Sequence, residues 1–305
     1  MSYSARAAPR FVASLQVLDT FPTFERYWET VRSKPVAVQI DCWETEYMAR
    51  WPELLEKQKG AYSEEGMDWK RIAKTRIFPQ LSERLPRMRL LHRRLLRSIP
   101  RSWSRTRRVL EPGFPVRFII YVGIGFGAGW ATRYGGQPAC LLGLENATET
   151  AYGRSGGMPG VVSHEVAHLV HDEWRRRNGL QGIDEPGGPF WQLYEEGFAT
   201  ECERRVEDPR RYRLRTGSPD WLPWCQCHRA WLATKFLRDV RARNSLRPFF
   251  GSWYKIHGHI ECGYFLGAEM VREWAEHSSL KEIALLPEPA VRRKVKSSLA
   301  RMADG

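Results

Sequence analysis

Long apolar runs are missing from this chain. No stretch approaches the ~20 apolar residues that a membrane-crossing helix needs, so no membrane span is expected. Cysteine is sparse: six are scattered over 305 residues, at positions 42, 140, 202, 225, 227 and 262. A small secreted scaffold stapled by disulfides would be denser in cysteine, so reduced thiols and a cytoplasmic location are expected. The first residues, MSYSARAAPRFVASLQVLD, hold only a short apolar patch over 11–18, broken by Gln16. That makes a poor secretory signal. There is no internal repeat, no low-complexity tract and no flexible linker.

Nucleotide-binding signatures are absent as well. The run PVRFIIYVGIGFGAGW (115–130) carries glycine at every second position from Gly123 to Gly129. No Gly-Lys-Ser/Thr follows, and the run is not a G-x-G-x-x-G that opens a helix. Alternating glycines suggest one bare face of a strand, or a turn that another backbone approaches closely. Acids are outnumbered, with a net charge of +13, and the excess sits in 84–108, 175–177, 210–215 and 292–296. Such segments suit nonspecific contact with nucleic acid, an anionic surface or acidic peptides, or are simply solvated helical faces. No helix-turn-helix, RNA-recognition or zinc-finger pattern accompanies them.

What is present is mostly helical in pattern. TFERYWETVRSK (23–34), CWETEYMARWPELLEKQKG (42–60) and residues 67–99 place apolar side chains at helical spacing, with kinks expected at Pro79 and Pro86. They make an N-terminal helical region, 1–112, packed on the remainder, 113–305, or continuous with it. QPACLLGLEN (137–146) is a strand candidate beside 115–130, and 190–208, 224–244 and 261–277 read as further helices. The fold class expected is α+β, predominantly helical, with a small sheet.

The chemistry is concentrated in VVSHEVAHLVHDEW (161–174). Residues four apart on a helix lie one above the other, so His164 and His168 can reach one ion. Glu165 lies beside them, able to hold a metal-bound water without being a ligand. His-Glu-x-x-His on a helix is the zinc-hydrolase motif; the alternative is a structural pair, each ring bonded to a backbone carbonyl. His171 falls near the same face as a supporting or surface residue. A catalytic zinc takes three protein ligands and a water, and a third histidine is excluded because Trp174 stands where the extended motif would place it. The next helical pattern, FWQLYEEGFATECERRVED (190–208), aligns Glu196, Thr200 and Glu203 on one face. Glu196 can be the third ligand, with Glu203 or Thr200 accepting from the other nitrogen of a ligating imidazole. One zinc per chain is expected.

LYEEGFATECE resembles the W-L-N-E-G-F-A-x-x-x-E segment of the gluzincin aminopeptidases. That resemblance implies Glu196 rather than Glu195 as the ligand, with Glu203 as the later acid. One departure is the longer gap, with 27 residues between His168 and Glu196. About residues 65–300 also resemble a family of bacterial domains of unknown function described as predicted zinc-dependent proteases. Shared features are the late strand, His-Glu-x-x-His, the Glu-Gly helix and a C-terminal Gly-Tyr-x-x-Gly helix. The resemblance implies a zincin-like metallopeptidase domain over 113–305, with a sheet beside the motif helix. Residues 137–146 then stand where the substrate-pairing edge strand belongs, and Glu145 matches the acid that holds a substrate's amino group. In HGHIECGYFLG (257–267), Tyr264 first and His259 second are candidates to steady the oxyanion. Cys225, Cys227 and His228 lack the spacing of a structural zinc site.

The expected function is zinc-dependent hydrolysis of a peptide bond in a peptide or protein substrate, with Glu165 as general base and then acid. Two rivals stand beside it. One is a basic, nucleic-acid-associated zinc protease or binding protein, and the other a non-catalytic regulatory module on the same scaffold.

Overall fold

The first strand of the fold is one that the sequence pattern did not announce. In the computed structural model, which describes residues 15–149, 157–180, 182, 187–208, 218–251 and 253–305, Leu15–Asp19 forms β1. It pairs in parallel with β2 (Val116–Tyr121), Leu15 opposite Val116 and Asp19 opposite Ile120. The protein is mostly helical around a small mixed sheet of order β1-β2-β4-β3. β4 (Gln137–Gly143) is parallel to β2, and β3 (Trp130–Tyr134) is antiparallel to β4. β2 is buried almost throughout, as a central parallel strand covered on both faces should be.

Of the two readings of the glycines in 115–130, the closely approached turn is the one that forms: β2 ends at Tyr121, the glycines make a loop over 122–129, and β3 begins at Trp130. The second strand expectation, for 137–146, changes. Residues 137–143 are internal to the sheet, so the edge strand beside the motif helix is β3 and not 137–146. Leu144–Glu149 turns into a short helix instead of continuing β4.

Between β1 and β2 run the N-terminal helices, α1 (Phe21–Val31), α2 (Val36–Cys42), α3 (Pro52–Glu64), α4 (Trp69–Ile72) and α5 (Phe78–Leu110). Pro79 falls in the first turn of α5, directly after a π-helical turn, Ala73–Ile77, that joins α4 to α5, so the irregularity expected at Pro79 takes the form of that turn in a continuous helical run. α5 runs on through Pro86 and Pro100 to Leu110. These helices are tied to the sheet and to the glycine loop. Trp43 Nε1 donates to the Val122 carbonyl at 3.0 Å, and the Tyr62 hydroxyl to that of Ile124 at 2.8 Å. One hydrophobic core cluster runs from Phe21 to Met302.

After the short α6 (Leu144–Glu149) come α7 (Met158–Arg176) and α8 (Pro189–Val206). α7 packs on β3, β4 and α5, and α8 packs on α7. Arg175 and Arg176 close α7, a favourable placement at the negative end of the helix dipole. Then follow α9 (Trp221–Cys227), α10 (Arg229–Arg241), α11 (Arg247–Phe250), α12 (Cys262–Trp274), α13 (Leu280–Ala284) and α14 (Glu288–Asp304). α12 crosses α8 with Gly197 against Gly267: a Cβ on Gly197 would lie 2.2 Å from the Gly267 carbonyl carbon. Only glycine permits that approach. Among the described residues no helix is long and apolar enough to cross a membrane.

Candidate metal centre

α7 and α8 bring three ligand atoms to one point. Nε2 of His164 and Nε2 of His168 are 3.2 Å apart. Oε2 of Glu196 lies 3.1 Å from the first and 3.4 Å from the second. Atoms bound to tetrahedral zinc at about 2.0–2.1 Å stand about 3.3–3.4 Å from one another, so the triangle has the size of one face of that tetrahedron. Hydrogen bonding alone fits it less well. Each Nε2 carries at most one proton; if both point at Glu196, the nitrogen–nitrogen edge is left without a bond. Two imidazoles and a carboxylate are also the donor set of a catalytic zinc. Among the described residues no other such cluster of ligand atoms forms.

The helices place these groups by simple means. His164 and His168 share a face of α7 by their four-residue spacing. Glu196 comes from α8, beside the Gly197 contact that draws α12 in. Behind His164, Oε2 of Glu203 is 3.5 Å from Nδ1, and both side chains are buried. Gly160 makes the room, since a Cβ there would lie 2.5 Å from Oε1 of Glu203. A carboxylate on Nδ1 leaves the Nε2 lone pair free for a cation and fixes the ring.

The electrostatics follow the same geometry. Burial lowers the pKa of His168, but the Glu196 carboxylate more than offsets this and raises it to about 9. Burial would raise Glu196, yet His168 and His164 hold it well below the usual carboxylate range. Its neighbour Glu195, dominated by burial, is raised to about 7. Of the two adjacent acids, Glu196 is the one held as an anion against the imidazoles.

His164, Glu165, Glu196 and Tyr264 line one cavity of about 470 Å³. Glu165 lies against Gly129, where a Cβ would be 2.7 Å from its Oε1. The glycine loop thus forms the roof over the acid. The ring of Tyr264 is 5.7 Å from that of His164, centre to centre. Phe126, Phe250 and Trp253 add aromatic walls, and Glu65 pairs with Arg247 among the lining residues at 3.2 Å.

The chain matches no protein-family model, no curated protein and no solved structure. The geometry of these residues is therefore what speaks for their chemistry.

Several expected residues stand elsewhere. Glu145 is fully buried, and its Oε1 accepts from the Gly125 N–H at 3.0 Å. It holds the glycine loop and is not among the residues that line the cavity. His259 is not brought to the cluster: its ring stacks on Trp224 at 4.3 Å. Thr200 donates to the Glu196 carbonyl at 2.6 Å, so the bond to the imidazole falls to Glu203. His171 is a buried core residue whose Nε2 is 2.8 Å from the Tyr194 hydroxyl. Cys225 is buried, Cys227 exposed, and His228 stacks on Trp224. The basic segment 210–215 lies outside the described residues.

Sequence reasoning missed the cradles. Gly129 and Gly160 have no motif of their own, although the alternating glycines signalled a close approach. Asn146 was also missed; its Nδ2 donates to the Gly125 carbonyl at 3.1 Å. So was Glu261, a buried acid lining the cavity with a left-handed backbone, φ 58°.

Proposed function

We propose that this chain is a zinc-dependent peptide-bond hydrolase of the gluzincin kind, on a zincin-like scaffold. The observation that carries the reading is the triangle of His164, His168 and Glu196, sized for one face of a zinc tetrahedron, with His164 and Glu196 lining the cavity that Glu165 also lines. When bound, zinc supplies a Lewis acid for the carbonyl and lowers the pKa of a water to about 7. Glu165 takes the proton from the attacking water and gives it to the leaving amine. Tyr264, which lines the same cavity, donates to the oxyanion. Glu203 orients His164 through Nδ1. The edge of β3, beside α7, is the place for extended substrate backbone.

The test is a digest of an unstructured peptide library by zinc-loaded protein, with E165Q beside it. The wild type should cut, and E165Q should bind zinc to the same stoichiometry without cutting. Zinc-loaded wild type that leaves every peptide intact would sink the hydrolase reading and favour the non-catalytic scaffold.

A further inference from the structure

The inner face of α5 is spent on the core, through Leu81, Leu85, Met88, Leu91, Leu95, Ile99 and Trp103. Its outer face is different. α5 carries ten arginines, no lysine and a single acid, Glu83, so the face cannot neutralise itself. Arg84, Arg89 and Arg105 have carboxylate partners in Glu149, Glu25 and Glu207. Arg87, Arg93, Arg94, Arg97, Arg101, Arg107 and Arg108 have none among the described residues, and all but the half-buried Arg107 are exposed.

Several arginines on other elements have a carboxylate within one turn. Arg204 and Arg205 share Glu201, Arg272 pairs with Glu269, and Arg177 with Glu173. On α5 five arginines, 89, 93, 97, 101 and 105, follow one another at four-residue spacing as an unbroken ladder. Like charges at this spacing repel and destabilise a helix. A solvated face has no need of such a ladder.

We infer that the outer face of α5 binds the phosphate backbone of nucleic acid without reading its sequence. Each four-residue step rises ~6 Å and turns ~40°, so the unpaired rungs Arg93, Arg97 and Arg101 stay on the outer face, with Arg87, Arg94 and Arg108 exposed beside them. Duplex DNA offers one phosphate per ~3.4 Å of each strand, so a face this dense in guanidinium can contact several phosphates at once. Guanidinium forks suit phosphate oxygens better than an ammonium does, which fits the absence of lysine. A lipid surface shares the phosphate chemistry but makes use of an apolar face for insertion. Here that face is buried, and Leu90, Leu96 and Val109 are only about two-fifths exposed and stand apart.

The experiment measures anisotropy of a labelled mixed-sequence duplex with the full chain across a salt series. Five to seven phosphate contacts give a slope of log K against log salt of about −4.5 to −6.3. R93Q/R97Q/R101Q should flatten that slope by about 2.7, at about 0.9 per contact removed. R238Q/R241Q/R243Q, the same charge change on α10 and the turn after it, should leave the slope nearly unchanged. If the α5 triple does not fold, R97Q alone should flatten the slope by about 0.9. Equal losses from both triples would overturn the assignment, since binding would then follow total charge. Absence of duplex binding would do the same. So would α5-dependent binding to phosphatidylserine vesicles that the duplex fails to compete away.

Discussion

His164 and His168 lie on one face of α7, whereas His257 and His259 lie in the turn that Ile256 and His259 close by pairing. The two stretches have similar histidine content and different outcomes. In the turn, His257 and Gly258 both take left-handed backbone, φ 49° and 87°. The His259 ring stacks on Trp224 at 4.3 Å, and the His257 ring lies 5.1 Å from that of Trp231. On the helix the four-residue step aims both Nε2 atoms at one place, and an acid from the next helix meets them there. Histidine content alone therefore says little. Regular backbone with an acid opposite converts it into a candidate ligand set.

The largest expected effect breaks the helical pair. H168A and E196A should each abolish stoichiometric zinc in elemental analysis of pure protein, while H257A/H259A should keep one zinc per chain. Zinc retained in E196A but lost in E195A would rotate α8 relative to this reading.

Next, E165Q should hold its zinc and lose 10²–10⁴-fold in kcat, the usual worth of general acid–base work. Y264F should lose up to about 10²–10³-fold, as removal of one oxyanion donor does, and mainly in kcat with KM little changed. H259A should match the wild type in both. Activity lost in H259A and kept in Y264F would exchange their roles.

A smaller effect belongs to the buried acid behind the ligand. E203A should weaken zinc binding by about 10–100-fold, as the loss of a supporting carboxylate typically does. E195A should leave zinc content unchanged. Competition against a chelator of known affinity measures both.

The smallest effect is in pH. In metal-free protein the pKa of His168 is about 9, against an ordinary 6.5. Its charge therefore stabilises that fold fully below pH 6.5, and the contribution is lost as pH rises through 9. Zinc competes with the same proton, so its affinity rises over that interval. Chelator-treated protein should melt lower at pH 9 than at pH 6.5, and zinc-loaded protein should show a smaller drop. A metal-free melting curve identical at both values would remove the charged His168 from the balance.

Much of the centre was legible because helical spacing is local. The positions of His164, His168, Glu196 and Glu203 follow from two periodic segments. The groups that failed depend on contacts far apart in the chain. Glu145 sits two residues after a buried strand and turns inward to the glycine loop, which no periodicity reveals. β1 is five residues long, and only its pairing with β2, about a hundred residues later, makes it a strand. The edge strand β3 begins where the glycine-rich run ends and is only five residues long, so nothing local marks it as a strand.

The pairing of β1 with β2 also limits how this protein can be cut down. A polypeptide beginning at residue 113 keeps every ligand and Glu165, yet strips Leu15–Asp19 from the sheet. It would leave Val116–Tyr121 as a bare, strongly apolar edge, the kind of template on which strands from other molecules add. Aggregation is then the expected fate of the shortened chain, whatever its affinity for metal. A piece that carries the centre and keeps β2 paired includes Leu15–Asp19, with α1 to α5 retained as the connection between the two strands.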